Sequence, residues 1–267
     1  MAGRAENNAS LEMKIGIIGN GFVGSALANA LTCEVIVADP ELNGVRAADL
    51  DYKTIGAVFI CVPTPVGKDG AVDASIIWKV LEDVPKETLT IIKSTVTPDH
   101  LLEMAKERRI VFNPEFLTQR SSKEDFIHCD SLIFGGGTED CKEAHLIYLD
   151  HSKVNGCPWF YTDLMTASMV KYALNCHFAA KVTFMNELHA LYTKLGGSWH
   201  DLQAILAADS RLGPTHLDVP GPDGFYGWAG SCFTKDTKAF IHFAAEQGAE
   251  LSVLRAAVKS NSYIRDD

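Results

Sequence analysis

The segment Lys14-Ile15-Gly16-Ile17-Ile18-Gly19-Asn20-Gly21-Phe22-Val23-Gly24 constrains the fold of this chain more than any other. An apolar run of strand character leads straight into G-x-G-x-x-G, and a helical pattern from Phe22 to Leu31 follows it. Each glycine has its own task. Gly19 permits a tight turn, Gly21 lets the backbone approach a pyrophosphate, and Gly24 lets helix and strand pack closely, with the helix N-terminus facing the phosphates. A second strand pattern, Glu34 to Ala38, ends in Asp39, twenty residues after Gly19. A carboxylate there accepts hydrogen bonds from ribose hydroxyls. It favours NAD over NADP, because a 2′-phosphate would meet a negative charge. Asp39 also has the alternative reading of a turn residue before Pro40.

The alternation continues. Strand patterns at Ala57 to Val62, Thr90 to Lys93, Ile110 to Phe112 and Ser131 to Phe134 are nearly continuous in Ile, Val and Phe. Such runs belong to strands buried on both faces of a parallel sheet. Helical patterns at Ala74 to Leu81 and Leu101 to Lys106 lie between them. The fold class is α/β: a Rossmann-like, doubly wound, mainly parallel sheet. From Asp163 to about Leu195 the chain lacks Gly and Pro and carries apolar residues at helical spacing, until Gly196-Gly197 stops it. A Gly/Pro-rich loop, Gly213 to Gly230, precedes a last helical region from about Thr234 to the end. The expected organisation is a flexible extension at 1–12, a dinucleotide-binding domain at 13–160 and an all-helical domain at 161–267.

Lys and Arg number 24 against 34 Asp and Glu, a net charge of −10. That balance argues against a nucleic-acid or anionic-membrane surface. No apolar run approaches the ~20 residues of a membrane span, and the first dozen residues lack the apolar core of a secretory signal. Seven cysteines, an odd number without a C-x-x-C pair, fit a reduced chain better than a disulfide framework or a zinc site. A cytoplasmic protein without a metal is expected.

Further segments carry a resemblance. These are Phe59-Ile60-Cys61-Val62-Pro63-Thr64-Pro65 with Asp69-Gly70, Lys93-Ser94-Thr95-Val96, and Asn113-Pro114-Glu115-Phe116-Leu117. Two more are Met169-Val170-Lys171-Tyr172-Ala173-Leu174-Asn175 with Asn186-Glu187, and Gly230-Ser231-Cys232-Phe233-Thr234-Lys235-Asp236. In this order they resemble the UDP-glucose 6-dehydrogenase family from Lys14 to about Ala239. The resemblance implies NAD-dependent oxidation of a nucleotide sugar's primary alcohol to a carboxylate in two hydride transfers. An aldehyde carbon gives up a second hydride only after a nucleophile makes it tetrahedral. A thiolate does so, passing through thiohemiacetal and thioester.

Cys232 is the expected nucleophile, near the start of a helix where backbone N–H groups and Lys235 favour a thiolate. Lys171 and Asn175, four apart, share one helix face. Without the resemblance such a pair reads as solvated. With it, the pair holds the oxygen at the reacting carbon. Asp236 and Thr95 are implied to handle a water near that carbon, and Glu115 to activate the hydrolytic water. The resemblance further assigns Gly19, Gly21, Phe22, Val23, Gly24, Asp39, Val62, Pro63, Thr64, Thr95 and Lys235 to the cofactor. It assigns Glu115, Phe116, Leu117, Lys171, Asn175 and Gly227 to the substrate. The loop from Arg211 to Gly227, with Arg211 and His216, is the expected support for the substrate's phosphates. A homodimer built on the long helix is also implied.

There are departures. Gln119 stands where many members have a second glutamate, and Trp228-Ala229 replaces a glycine pair. The chain ends at Asp267, near where a UDP-binding C-terminal domain would begin, and its Asp209-Ser210-Arg211-Leu212-Gly213-Pro214-Thr215-His216 and Val219-Pro220-Gly221-Pro222-Asp223-Gly224 segments look most like the short forms carried by some viruses and phages; a natural short form and a truncated chain share these motifs. Val62-Pro63-Thr64-Pro65 resembles the UDP-glucose enzymes, which makes a UDP-sugar the expected substrate. Two competing functions are a non-catalytic NAD- or nucleotide-sugar-binding relative and a one-step β-hydroxyacid dehydrogenase.

Overall fold

The computed structural model describes residues 13–117 and 122–265. Gln119 lies outside them. Two compact units emerge: one holds the chain up to residue 64 together with 74–169, the other residues 65–73 with 170 onward.

The first unit is a seven-stranded sheet. Its strands are β1 (Lys14–Ile18), β2 (Glu34–Ala38), β3 (Ile55–Ile60), β4 (Leu89–Ile92), β5 (Ile110–Phe112), β6 (Leu132–Gly136) and β7 (Trp159–Thr162), in the order β2-β1-β3-β4-β5-β6-β7. All neighbouring pairs are parallel except β5 with β6. The mainly parallel, doubly wound sheet expected from the sequence is therefore present. Successive side chains alternate between its faces. Ile15, Ile17 and Phe59 join Leu27, Phe134 and Tyr148 in one core cluster, while Ile18 and Val58 join Leu50 and Val84 in another.

Helices α1 (Phe22–Ala30), α2 (Ser75–Asp83), α3 (Pro98–Met104), α4 (Ser122–Ile127) and α5 (Thr138–His151) complete the alternation. Pro98 opens α3 at the position where a missing N–H costs nothing. Three features were not legible in the pattern. α5 carries exposed Leu146 and Leu149 and buries Cys141 and His145, which blurs its stripe. β7 is an edge strand whose Trp159, Phe160 and Tyr161 are all exposed, without period-two alternation. α4 is under two turns long.

α6 (Leu164–Lys194) is 31 residues long, begins one residue after Asp163 and stops before Gly196 at φ +79°. Asp163 caps it, accepting from the backbone N–H of Thr166 at 2.8 Å, which also holds its carboxyl below the usual range. In the second unit α7 (Trp199–Ala208), α8 (Ser231–Glu246) and α9 (Ser252–Ile264) follow. The last helical region is thus two helices, because the chain turns at Gly248 with φ +71°. Among the described residues no helix is long and apolar enough to cross a membrane.

Candidate active site

Parallel strands put their carboxyl ends on one edge, and in open α/β sheets that edge binds ligands where the strand order reverses. Here β1 lies between β2 and β3, so the loop after β1 sits at the reversal. Gly19, Asp39, Val62-Pro63-Thr64, Thr95 and Glu115 all follow the ends of parallel strands β1 to β5 and share this edge.

The three glycines of the turn differ in what surrounds them. Gly19 has φ +88°, and a Cβ there would lie 2.8 Å from the Cys61 carbonyl oxygen. A Cβ on Gly24 would lie 2.0 Å from the Gly19 carbonyl oxygen, so the close approach of α1 to the turn requires glycine. A Cβ on Gly21 would meet no protein atom within 4 Å. That space is open where the backbone starts α1, whose first-turn N–H groups have no side-chain cap. Phe22 is exposed and Val23 half-buried.

Asp39 is both a ligand candidate and a turn residue. Its Oδ2 accepts from the N–H of Asn20 at 2.7 Å, and its Oδ1 accepts from those of Glu41 and Leu42 at 3.1 and 3.2 Å. The bond from Asn20 is the main cause that holds its carboxyl below the usual range. It also ties the glycine turn to the end of β2. The Asn20 Oδ1 is buried without a protein partner at this turn. An open anion-facing helix start, a fixed carboxylate on the neighbouring strand and an orphaned amide oxygen fit a dinucleotide.

The loops after β3 and β4 are laced together. Thr64 Oγ1 donates to the Thr95 carbonyl at 2.8 Å, and Ser94 Oγ donates to that of Val62 at 2.6 Å. Pro63 is exposed beside them. Glu115 turns back on its own loop, Oε2 accepting from the N–H of Leu117 at 2.7 Å; Phe116 and Leu117 are half-buried. A buried network that the sequence reading missed lies below. Lys93 Nζ donates to the Asn113 backbone oxygen at 3.0 Å and to its Oδ1 at 2.9 Å, and Tyr148 Oη donates to the same Oδ1 at 2.6 Å.

In the second unit, α6 and α8 bring four of the expected residues to buried or half-buried positions. Lys171 is 3% exposed and Asn175 9%, so the pair lies on the buried stripe of α6 rather than on a solvated face. Asn175 Nδ2 donates to Asp236 Oδ2, and Lys235 Nζ pairs with Asp236 Oδ1 at 2.6 Å. Asp236 is 1% exposed. Both of its oxygens are engaged, which is how a carboxylate survives burial. Cys232 is the second residue of α8, one turn before Asp236, and the helix starts directly after Gly230 at φ +83°. It is the one exposed thiol of the seven, whereas burial pushes the Cys61 and Cys176 thiols up to about 12.

Lys235 also borders a cavity of about 530 Å³ lined by residues 66–70 with Gly230, Thr234 and Lys238. Lys68, Lys235 and Lys238 outnumber Asp69 there, so the cavity suits an anion. The loop that forms its other wall is held by the Asp69 carbonyl, 3.1 Å from His242 Nδ1.

The loop expected to serve the phosphates is arranged otherwise than its composition suggests. Arg211 is exposed and grips Asp209 with Nε and Nη2 at 2.9 and 2.5 Å. His216 has φ +62° and stacks on Phe178, centroids 4.1 Å apart. Lys181, buried, donates to the carbonyls of Leu212, Gly213 and Thr215 and thereby holds the loop's first half. Gly227 faces inward: its N–H donates to Asn186 Oδ1 at 2.9 Å, and a Cβ there would lie 2.5 Å from Asn261 Oδ1. Trp228 is pinned at three points. Its N–H donates to Asn261 Oδ1 at 2.9 Å, its carbonyl accepts from Asn261 Nδ2 at 2.8 Å, and its indole N–H donates to Thr183 Oγ1 at 2.9 Å. Asn261 and Thr183 thus fix the approach to Cys232. A lone Asn or Thr in a helix gives no sign of that in sequence.

Residues 34–150 match the NAD binding domain of the UDP-glucose/GDP-mannose dehydrogenase family, and residues 165–263 match that family's central domain. The cofactor is accordingly NAD. The UDP-glucose 6-dehydrogenase of Rickettsia felis is 35% identical over 77% of this chain and 47% of its own length. That of Haloferax volcanii is 30% identical over 93% of this chain and 69% of its own. The chain spans about half the length of the Rickettsia relatives it matches. The structure of a UDP-glucose dehydrogenase from the hyperthermophilic archaeon Pyrobaculum islandicum superposes with a TM-score of 0.80. It is 25% identical, over 98% of this chain and 70% of that one. A glycine turn at the sheet's reversal point, a buried Asn-Asp-Lys cluster and these matches converge: the chain belongs to the UDP-glucose/GDP-mannose dehydrogenase family.

Proposed function

We propose that this chain oxidises UDP-glucose to UDP-glucuronate, using two NAD⁺ and one water. The observation that carries the reading is the buried cluster in which Asn175 and Lys235 hold Asp236, with Lys171 one turn before Asn175 and the exposed Cys232 one turn before Asp236. NAD, when bound, supplies the hydride acceptor for each oxidation.

In this reading Lys171 and Asn175 hold the alcohol oxygen and stabilise the charge that develops on it. The Cys232 thiolate adds to the aldehyde carbon, and the tetrahedral thiohemiacetal becomes a thioester as the second hydride leaves. Water then attacks the thioester carbon, its proton passing to Glu115 or Asp236, and the Cys232 thiolate departs. Thr95 stands by as a water-orienting hydroxyl. We assign Gly19, Gly21, Phe22, Val23, Gly24, Asp39, Val62, Pro63, Thr64 and Lys235 to the cofactor, and Phe116, Leu117, Arg211, His216 and Gly227 to the sugar nucleotide. For Arg211 to reach a phosphate it must exchange Asp209 for it.

A homodimer is part of the reading. α6 is about 46 Å long at 1.5 Å per residue and leaves Phe184 and Leu191, seven residues apart on one face, more than half exposed. A second copy of the helix is the proposed cover. Seven cysteines outside any disulfide support a reducing, cytoplasmic setting.

The test is to mix the purified chain with UDP-glucose and NAD⁺ and count NADH against UDP-glucuronate. Two NADH per acid is the expected result. One NADH with release of an aldehyde or ketone selects a one-step dehydrogenase, and none selects a binding module.

A further inference from the structure

Cys129 and Cys157 stand apart from every residue assigned above. Their sulfurs are 3.2 Å apart, although 28 positions separate them in the chain. A disulfide needs about 2.05 Å between sulfurs, so closing this pair takes a movement of roughly 1 Å. The backbone can supply it. Cys129 lies in the irregular link between α4 and β6, and Cys157 in the one before β7, directly after Gly156 at φ +74°. The two links are held side by side, because Leu132 pairs with Trp159 in the parallel ladder and the Leu132 N–H donates to the Pro158 carbonyl at 2.9 Å. Neither sulfur has to search for the other.

We infer that Cys129 and Cys157 form a reversible redox site, which closes to an intramolecular disulfide by exchange with a low-molecular-weight disulfide. Access distinguishes their roles. Cys157 lines a cavity of about 430 Å³ with Tyr148, Leu149 and Trp159, and Cys129 does not line it. A reagent entering there meets Cys157. Burial and the hydrogen bond to Cys157 push the Cys129 thiol up, so Cys129 keeps its proton and donates it to the Cys157 sulfur. Because the cavity opens onto Cys157 and not onto Cys129, Cys157 is the attacking group.

The exchange balances in two steps. The Cys157 thiolate attacks one sulfur of the small disulfide, forming a mixed disulfide and releasing one small thiol. Cys129 then loses its proton and attacks the Cys157 sulfur, and the second small thiol leaves. The protein loses two hydrogens and the reagent becomes two thiols. A small dithiol reverses both steps. The other buried thiols have no such partner: Cys141 donates to the Phe134 carbonyl at 3.4 Å, and Cys176 to that of Asp236 at 3.9 Å.

The experiment incubates the wild-type chain with oxidised glutathione, alkylates the remaining thiols, and maps the peptides by mass. The exposed Cys232 is the internal control for reagent activity. The expected result is one linked peptide pair, joined through Cys129 and Cys157, that disappears after dithiothreitol. In Cys129→Ser the reaction should stop with glutathione on Cys157. The inference is overturned if Cys129 and Cys157 are both alkylated as fully as in untreated protein while Cys232 carries glutathione. It is equally overturned if the cross-link joins any other pair. The wild-type map decides the matter even where a variant fails to fold.

Discussion

Asn175 Nδ2 donates to Asp236 Oδ2 across 2.5 Å, joining two helices from positions 61 residues apart. Lys235 takes the other carboxylate oxygen at 2.6 Å. With one carboxylate held from both sides, the second turn of α8 is set against the middle of α6. That relationship makes the catalytic reading specific enough to test.

Asn175→Ala removes the donor and leaves a carboxylate oxygen buried without it. The change should cost about 1–3 kcal/mol of stability and lower kcat by about 10²–10³ if the amide also stabilises the reacting oxygen. Thermal melting and steady-state kinetics measure the two effects separately. A stability loss with kcat unchanged would reduce Asn175 to a structural role.

Cys232→Ala should abolish UDP-glucuronate formation and leave NAD affinity unchanged, since the thiol is required for the carbon's second oxidation and not for the cofactor. Product analysis by chromatography and NAD titration by calorimetry check the two halves. Acid formation at the wild-type rate would remove Cys232 from the mechanism.

The glycine turn yields a paired prediction. Gly24→Ala sets a Cβ 2.0 Å from a backbone oxygen, which cannot move without shifting the turn, so the melting temperature should fall. Gly21→Ala meets no protein atom and should melt as the wild type does, yet bind NAD more weakly because the added methyl occupies the pyrophosphate's approach. Equal melting losses in both variants would contradict the division of roles.

Asp39 carries a pH signature. The Asn20 N–H lowers its folded pKa below the ordinary value of about 3.9. The stabilisation is therefore complete above that value and is lost as pH falls through the folded one. Wild type should melt above Asp39→Asn at neutral pH, and the gap should close in the acid range below about 3.9. Asp39→Ala should also narrow the preference for NAD over NADP, read from the two dissociation constants.

Asn261→Ala leaves the Trp228 N–H and carbonyl without their partners. The loop before Cys232 should loosen, with kcat reduced and NAD affinity retained. Asn261→Gln, which keeps the amide, should recover part of kcat. A uniform loss of stability, kcat and cofactor affinity would mark Asn261 as a packing residue only.

Much of the first unit was legible because its signals are local. The strands Lys14–Ile18, Glu34–Ala38 and Ile110–Phe112 follow residue for residue from apolar runs bounded by turn residues, and α6 ends at its glycine. What escaped had a weak or misleading local signal. β7 shows three exposed aromatics in a row, and the final helical stretch is cut in two by one glycine.

Sequence by itself determined the glycine turn, the carboxylate at the end of β2 and the order of the motifs, since each depends on spacing along one stretch of chain. Only the tertiary structure decided which polar groups are buried and what satisfies them. At a spacing of four, Lys171 and Asn175 are compatible with either helix face, and it is the burial of that face and the Asp236 carboxylate that distinguish the two. The same holds for Asn261 against Trp228 and for Cys129 against Cys157. A buried donor must find an acceptor, and where that acceptor lies distant in the chain, only the packing of elements brings it within reach.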